Sequence, residues 1–313
     1  MNRHLKFYYL ATILNRMNTS KLNLGWWNIG ISPPIRSNKA KKTDAITLAG
    51  NYITQFIQQR DLDFFALCEV SEDESCFLND LAKKENLTFI DLTSSVGRIL
   101  IDISVIYNPE KLSYVEHTHL TEVQPDGKSL RAGVKVIFKE LKNNDEIVFY
   151  LSHWPSKLRN NESVRESIAT YIRNDINNIL DKNIDTKIIC MGDYNAQPYS
   201  YALRKKLFAT RDFHLIEKRK KLLFNPFWKI LSDGLYNNIG TYYYSAPSAN
   251  RWYVFDQMIF SSSFVTRNKD NLKLILNSTD CHKVINDIDN AVSDVVYLDN
   301  FDHLPIFCGL HYE

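Results

Sequence analysis

The chain has 313 residues, of which 44% are hydrophobic and 24% charged, so its composition is globular with ample material for a core. We expect one domain over residues 21–313, preceded by an N-terminal arm or short helix in residues 1–20. The net charge of +2 neither requires nor excludes a polyanionic partner. No stretch approaches the ~20 apolar residues of a membrane span, which excludes stable membrane insertion.

The cysteines and the N-terminal residues indicate the cellular compartment in which the protein is expected. The five cysteines have no paired spacing, and their odd number argues against a full disulfide framework. Residues 5–14 are moderately apolar, but Lys6 and two tyrosines interrupt them and no small-residue cleavage site follows. We therefore expect reduced thiols and a cytoplasmic protein, with secretion as the alternative.

The first predicted strand, residues 22–31, carries Asn28 near its end, and two prolines terminate it. A helix with apolar residues at helical spacing is predicted for residues 45–60. The next strand, residues 63–70, carries Glu69 after an apolar run. A carboxylate there is costly to bury unless it binds a cation or a hydrogen-bond donor.

Further strands are predicted at residues 99–107, 134–138 and 146–151, with a loop or edge hairpin at 118–133. Asp102 lies in the first of them, where a surface or cross-strand ion pair with Arg98 is the ordinary interpretation. His153 follows the last of them and, taken alone, is typical of a packed core histidine.

A helix is predicted for residues 161–180, and Arg165 on its first turns is either an ordinary surface arginine or within reach of a site. A buried strand and its loop follow at residues 187–197. Gly192 ends the strand, and Asp193 and Asn195 share strand parity, so both side chains can project to one side. This pair suits a metal-bound phosphate, although the same residues are ordinary turn formers.

The remaining third of the chain is basic and aromatic in places. The basic clusters at residues 204–206 and 218–221 are typical of solvated faces, or could track a polyanion. The aromatic stretches at 224–229, 240–244 and 251–253 are expected to pack as core, with stacking on a base or headgroup as the alternative. A strand at 254–261 bears Asp256, and Asp302 and His303 precede the last strand.

Six short motifs with polar residues lie at the ends of predicted strands, and their order along the chain is informative. They are Trp27-Asn28, Cys68-Glu69, Ser152-His153-Trp154-Pro155, Gly192-Asp193-Tyr194-Asn195, Phe255-Asp256-Gln257 and Asp302-His303-Leu304-Pro305. In this order they resemble the endonuclease/exonuclease/phosphatase family, the metal-dependent phosphoesterases that include DNase I, over roughly residues 20–313. The resemblance implies an α/β sandwich of two mostly antiparallel or mixed sheets, with helices outside and the site in a cleft at one rim.

The resemblance also implies roles for these residues. Glu69 matches the principal Mg²⁺ ligand, with Asn28 and Asp302 completing or orienting the metal shell. His303, oriented by Asp256, would activate water. The other implied roles are contact with the scissile phosphate for His153, positioning of phosphate and leaving group for Asp193 and Asn195, and phosphate binding for Asn28. Arg98 and Asp102 lie where some family members contact substrate, although an ion pair is the preferred interpretation. Arg165 is a candidate substrate-binding residue because of its place on the first turns of its helix.

One position departs from the family pattern, because Phe301 stands where a serine often precedes the Asp-His pair. His153 favours the DNase-like and sphingomyelinase-like branches, since abasic-site endonucleases have tyrosine at this step. Hard oxygen ligands and the lack of a Cys/His cluster favour Mg²⁺, with Mn²⁺ as a substitute, over Zn²⁺.

The leading hypothesis is a Mg²⁺-dependent nuclease with DNA as substrate. The alternative is a phosphatase or phosphodiesterase on a lipid headgroup, inositol phosphate or signalling nucleotide, because one fold serves all of these. A non-catalytic binding protein is a third hypothesis, and it is disfavoured because none of the motif residues is lost.

Overall fold

The computed structural model describes residues 21–32, 39–96, 99–123, 129–156, 162–232, 240–246, 248–266, 272–275, 278–281 and 300–312. The predicted N-terminal arm, residues 1–20, and Arg98 lie outside these residues. Within them the α-helices are α1 (Lys39–Arg60), α2 (Glu72–Lys84), α3 (Glu162–Lys182) and α4 (Phe213–Lys218). No helix of this part of the chain has the length and apolarity needed to cross a membrane.

The strands of the described residues range from two to twelve residues in length. They are β1 (Lys21–Asn28), β2 (Phe64–Cys68), β3 (Thr88–Asp91), β4 (Ser94–Val96), β5 (Ile99–Ile101), β6 (Ile103–Tyr107), β7 (Leu112–Val123), β8 (Ser129–Glu140), β9 (Glu146–His153), β10 (Lys187–Asp193), β11 (Ala209–Thr210), β12 (Leu223–Phe224), β13 (Tyr242–Tyr243), β14 (Trp252–Tyr253), β15 (Asp256–Ser261), β16 (Leu272–Leu274), β17 (Asp280–Cys281) and β18 (Ile306–Tyr312).

Two seven-stranded sheets form the body of the protein. One has the order β16-β18-β1-β2-β6-β3, with β17 added on β18, and the other has the order β11-β12-β15-β10-β9-β8-β7. Within these two sheets the pairs β1/β2, β9/β10 and β11/β12 are parallel, and the other strand pairs are antiparallel. This confirms the predicted α/β sandwich of two mixed sheets.

The core lies between the sheets, and its residues alternate along the strands as period-two geometry requires. In β10, Ile189 and Met191 point into this core, while Ile188 and Cys190 point outward against α3. The rings of Phe64 in the first sheet and Phe149 in the second stack at 4.1 Å between centroids. A strand covered on both faces is therefore apolar at every position, as the run in β10 predicted.

The segment predicted as one strand, residues 99–107, is interrupted at Asp102. Before this residue β5 pairs with β4, and after it β6 pairs with β2 and β3. The break has a physical cause, because the Asp102 side chain is buried and accepts a hydrogen bond from His153. The loop or edge hairpin predicted at 118–133 is an edge hairpin, because β7 is the last strand of its sheet and pairs antiparallel with β8 through two register shifts.

Strand register brings the polar residues to one rim of the sandwich. Asn28 ends β1 opposite Cys68 of β2, so Glu69 follows at the same level. In the other sheet Asp193, the last residue of β10, pairs with His153 of β9 on one side and Asp256 of β15 on the other. The candidate residues of the two sheets therefore meet where these strands end.

Candidate active site

Asn28 links the two sheets at this rim. Its Nδ2 donates to Oε1 of Glu69 at 3.1 Å and to Oδ2 of Asp193 at 3.2 Å. Its Oδ1 accepts a hydrogen bond from the Gly30 backbone amide at 3.1 Å, which fixes the orientation of the amide group. The side chain is buried and uses both donor hydrogens, so it holds two carboxylates at a set separation.

Glu69 follows β2 in the left-handed backbone region, with φ +57°. A non-glycine residue is strained in this conformation, and backbone strain of this kind is typical of functional sites. The Glu69 carbonyl accepts from the Ser32 amide at 2.8 Å, so the turn is held from the neighbouring loop. Burial raises the pKa of the Glu69 carboxyl, and His153 and Asn28 partly offset that rise. The side chain keeps 27% of its exposure, which leaves the carboxylate open to a ligand.

Asp193 and Asn195 converge by a turn and not by strand parity alone. The Asn195 backbone N–H donates to Oδ1 of Asp193 at 2.9 Å, and the Asn195 backbone has φ +46°. The Asn195 side chain donates from Nδ2 to the Trp154 carbonyl at 2.9 Å and lies 3.4 Å from Oδ2 of Asp193. The two interpretations of this segment, a turn and a site, are therefore compatible, because the turn itself orients the Asp193 carboxylate.

His303 is paired with the buried carboxylate of Asp256, as the resemblance implied. Nδ1 of His303 donates to Oδ2 of Asp256 at 2.8 Å. Trp26 Nε1 donates to Oδ1 of the same carboxylate at 3.1 Å, and the Thr241 hydroxyl donates to Oδ2 at 2.9 Å. Nε2 of His303 lies 3.6 Å from Oδ2 of Asp193, so the second ring nitrogen faces the centre of the site.

His153 has a carboxylate partner that the sequence analysis missed. Its Nδ1 donates to Oδ2 of Asp102 at 2.9 Å, and its Nε2 lies 3.6 Å from Oε1 of Glu69 and 4.0 Å from Oδ2 of Asp193. Asp102 is buried, so the prediction of a surface ion pair is wrong; its charged partners are His153 and, at 3.9 Å, Arg131, both on strands of the other sheet. The signal available was an aspartate inside an otherwise apolar strand, which needs a buried donor.

The two imidazoles hold protons more tightly than an ordinary histidine does. Burial acts to lower the pKa of His153, but Asp102 outweighs it and raises that pKa to about 9. Burial likewise opposes protonation of His303, while Asp256 and Asp193 raise its pKa to about 10. The pKa of Asp102 is lowered, because His153 outweighs the effect of burial, whereas burial raises the pKa of Asp256.

Two groups of oxygens are candidates for a divalent cation. Ligand atoms of Asp193, Asp256 and His303 lie within 4.8 Å of one another. Both carboxylate oxygens of Asp256 already accept hydrogen bonds from buried donors, so that residue is satisfied without a metal. The partly exposed Glu69 carboxylate, with the Asn28 amide beside it, suits a hard cation better, because Mg²⁺ prefers oxygen ligands and retains waters.

Asp302 and Arg165 lie at the margin of this cluster. Asp302 is exposed; its carbonyl accepts from the Tyr243 amide at 2.8 Å, and its charge helps to raise the pKa of His303. Arg165 is buried, and its Nη1 donates to the Pro155 carbonyl at 3.1 Å, which fixes the backbone after His153. The metal role of Asp302 and the substrate role of Arg165 stay predictions.

Aromatic side chains flank His303. The Tyr242 ring lies 4.6 Å from the imidazole and stacks on Phe255 at 5.2 Å, and Phe255 stacks on Tyr253 at 5.1 Å. Tyr242 and Tyr253 are only half-buried, so this stretch is not purely core. Burial raises the pKa of Tyr242 to about 12, which keeps its hydroxyl neutral at physiological pH.

Comparison with known proteins identifies the family. A model of the endonuclease/exonuclease/phosphatase family matches residues 37–289. The chain therefore belongs to this family, whose members are hydrolytic phosphoesterases, and the resemblance drawn from the motifs is confirmed. No curated protein matches the chain in sequence.

Solved structures share the fold at low sequence identity. ANGEL2, a 2′,3′-cyclic phosphatase in complex with adenosine-2′,3′-vanadate, has a TM-score of 0.63 and 13% identity over 95% of this chain and 97% of its own. D. rerio TDP2, complexed with a single-strand DNA product, has a TM-score of 0.56 and 14% identity over 93% and 99%. The mannosyl-6-phosphatase Bt3783 of Bacteroides thetaiotaomicron has a TM-score of 0.58 and 16% identity over 92% and 99%.

Proposed function

We propose that this chain is a Mg²⁺-dependent phosphodiester hydrolase that acts on DNA as an endonuclease. The observation that supports it is the pair of buried imidazole–carboxylate units, His153–Asp102 and His303–Asp256, on either side of the carboxylate of Asp193. Phosphodiester hydrolysis needs one group that accepts a proton from water and another that donates to the departing oxygen. Two independently oriented imidazoles can supply both.

We assign the cation to Glu69 and Asn28, with Asp302 completing or orienting its shell. Mg²⁺ at this position, or Mn²⁺ in its place, supplies charge that shields the phosphate and stabilises the leaving oxygen. The residues present fit such an ion, because Glu69 is the partly exposed carboxylate of a buried acidic cluster.

His303 takes the proton from the attacking water in this proposal, and Asp256 holds its ring in one tautomer. Neighbouring carboxylates raise the pKa of His303 to about 10, so a cation bound at Glu69 would lower that pKa toward neutral pH and favour the role of His303 as a base. His153, with a pKa of about 9, is protonated and suited to donate to a phosphate oxygen.

A phosphatase or phosphodiesterase acting on a smaller phosphate ester is the second candidate. The position of the basic cluster at 218–221 favours it, since these residues precede Leu223, which pairs with Ser261 at the far end of β15 from Asp256. This cluster therefore does not line the catalytic rim. The similar folds of a 2′,3′-cyclic phosphatase and a mannosyl-6-phosphatase are consistent with either candidate.

The test is cleavage of supercoiled plasmid, linear duplex and single-stranded oligonucleotide with Mg²⁺ or Mn²⁺, and with chelator. Glu69→Gln and His303→Ala are the inactive variants, and His214→Ala is the matched control because His214 is 90% exposed and remote in sequence from every site residue. Metal-dependent nicking that both variants abolish and the control retains supports the nuclease. Failure on all three substrates, with release of phosphate from a small ester panel, would move the assignment to the second candidate.

A further inference from the structure

A groove distant from the catalytic rim lies between α3 and the segment before β12. We call it the basic groove. It encloses about 600 Å³ and is lined by Arg173, Asn177, Asp181, Ile184, Phe208 and residues 218–222. Arg173, Asn177 and Asp181 recur every four residues, so they form one stripe along α3. Leu223, next to the groove, pairs with Ser261, five residues along β15 from Asp256, which is roughly 17 Å in a strand.

Arg173 is the buried cation of this groove. Only 3% of the residue is exposed, and its Nη2 donates to Oδ1 of Asn177 at 2.6 Å. Its Nε and Nη1 are buried and have no hydrogen-bond partner in the described part of the chain. A buried guanidinium with two unpaired donors is costly, so the position is expected to have an acceptor that the described residues do not provide.

Phe208 covers the guanidinium at a cost in backbone strain. Its ring centroid lies 4.9 Å from the Arg173 guanidinium carbon, and its backbone has φ +62°. A bulky residue is a true outlier in the left-handed region. The Leu223 amide donates to the Phe208 carbonyl at 3.1 Å, so the strained backbone is held in place beside the groove. Strain of this kind is typical of ligand-binding positions.

The rim of the basic groove has more cations than carboxylates. Lys221 pairs with Asp181, and Lys220 pairs with Asp185 at 3.4 Å. The exposed Lys218 and Arg219 have no carboxylate within 4.0 Å among the residues described. Together with Arg173 they leave three positive charges without a counter-ion at one place on the surface.

We propose that the basic groove is a binding site for a phosphate group, held by Lys218 and Arg219 at its rim and, when the Phe208 ring moves aside, by the unpaired donors of Arg173 at its base. Arginine presents parallel donors that match phosphate oxygens, and surface lysines add charge. The phosphate could belong to a small polyphosphate or to the backbone of a nucleic-acid strand, and both present the same oxygens to the groove. The proposal does not depend on which ester the catalytic rim hydrolyses.

Calorimetric titration of the full chain in chelator, with inorganic pyrophosphate and with a short single-stranded oligonucleotide, tests this proposal. Lys218→Ala/Arg219→Ala should weaken pyrophosphate binding by about tenfold or more, because each substitution removes a charge-assisted contact. Arg173→Lys should also weaken it, since the charge is kept and the fork is lost. Both rim residues are exposed, so the double variant should fold normally even if Arg173 variants do not.

Two controls separate the groove from other sites. Arg204→Ala/Lys205→Ala removes the same charge from exposed positions outside the groove, and His303→Ala alters the catalytic rim; neither should change pyrophosphate affinity. A tenfold loss in the rim variant for the oligonucleotide, with a smaller salt dependence, identifies a nucleic-acid strand as the source of the phosphate. A loss for pyrophosphate alone identifies a small polyphosphate. Equal affinity of wild type and rim variant for both probes, or no binding of either probe to wild type, overturns the proposal.

Discussion

The two imidazole–carboxylate pairs of the catalytic rim are alike in distance and different in surroundings. Nδ1 of His303 lies 2.8 Å from Asp256, and Nδ1 of His153 lies 2.9 Å from Asp102. Asp256 is fully buried and accepts from two further donors, whereas Asp102 has Arg131 at 3.9 Å from its carboxylate. The His303–Asp256 pair is thus fixed by two buried neutral donors, whereas the His153–Asp102 pair is fixed by the positive charge of Arg131.

This difference suggests a division of labour in the proposed reaction. A carboxylate whose oxygens are all engaged orients its imidazole tightly, which a base that must meet one water molecule requires. His153 lies nearer Glu69, at 3.6 Å, where a protonated ring can donate to a phosphate oxygen. Variants that break one pair while keeping the other test this division.

His303→Ala should have the largest effect. Loss of a positioned acid–base group costs about 10²–10⁴ in rate, so we expect kcat with Mg²⁺ to fall by that factor while the fold is retained. His214→Ala, at an exposed histidine, should leave kcat unchanged. Activity of His303→Ala within tenfold of wild type would remove His303 from the proposed mechanism.

Asp102→Asn should have a smaller effect on rate and a distinct spectroscopic one. We expect kcat to fall by less than the roughly 10²–10⁴ that loss of a positioned acid–base group costs, because His153 keeps its position beside Glu69 and loses only its oriented proton. The pKa of His153 should drop below its value of about 9, since Asp102 is the main cause of the rise. NMR titration of the metal-free protein measures it, and an unchanged pKa would contradict this account of the pair.

The metal-free protein should lose stability as pH rises. The pKa values of His153 and His303 are raised from 6.5 to about 9 and about 10. Between these pH values, from 6.5 up to about 10, the folded state therefore binds more protons than the unfolded state. Their contribution is complete below pH about 6.5 and is lost as pH rises through about 9 and then 10. Melting in chelator across this range checks it. Asp102→Asn should flatten the part nearest pH 9, and a flat wild-type profile would refute the prediction.

Thr241→Val should destabilise the surroundings of the His303–Asp256 pair and leave the His153–Asp102 pair unchanged. The Thr241 hydroxyl donates to Asp256 and accepts from the backbone amides of Phe255 and Asp256 at 3.1 and 2.9 Å. Valine keeps the shape but leaves these buried groups unpaired, so we expect a loss of about 1–3 kcal/mol in the free energy of unfolding. Denaturant titration measures it, with Thr241→Ser as the variant that retains the hydroxyl. Equal stability of the valine and serine variants would show that the hydroxyl does not matter.

The sequence by itself determined the fold class, the family and most of the rim. Apolar runs that end in a polar residue fix where strands stop, so Asn28, Glu69, His153, Asp193 and Asp256 could be placed at strand ends from local pattern alone. Their order along the chain then indicated the family, and His303 was placed from the motif before the last strand.

Tertiary structure decided which of these residues touch and what lies behind them. Asp102 and His153 are 51 positions apart, and Thr241 reaches Asp256 from a separate loop. Neither partner can be identified from the local sequence, because an aspartate in a strand or a threonine in a loop has many possible partners until the sheets pack. The same holds for Arg173, whose helical spacing is visible in the sequence while the burial of its unpaired donors exists only in the folded protein.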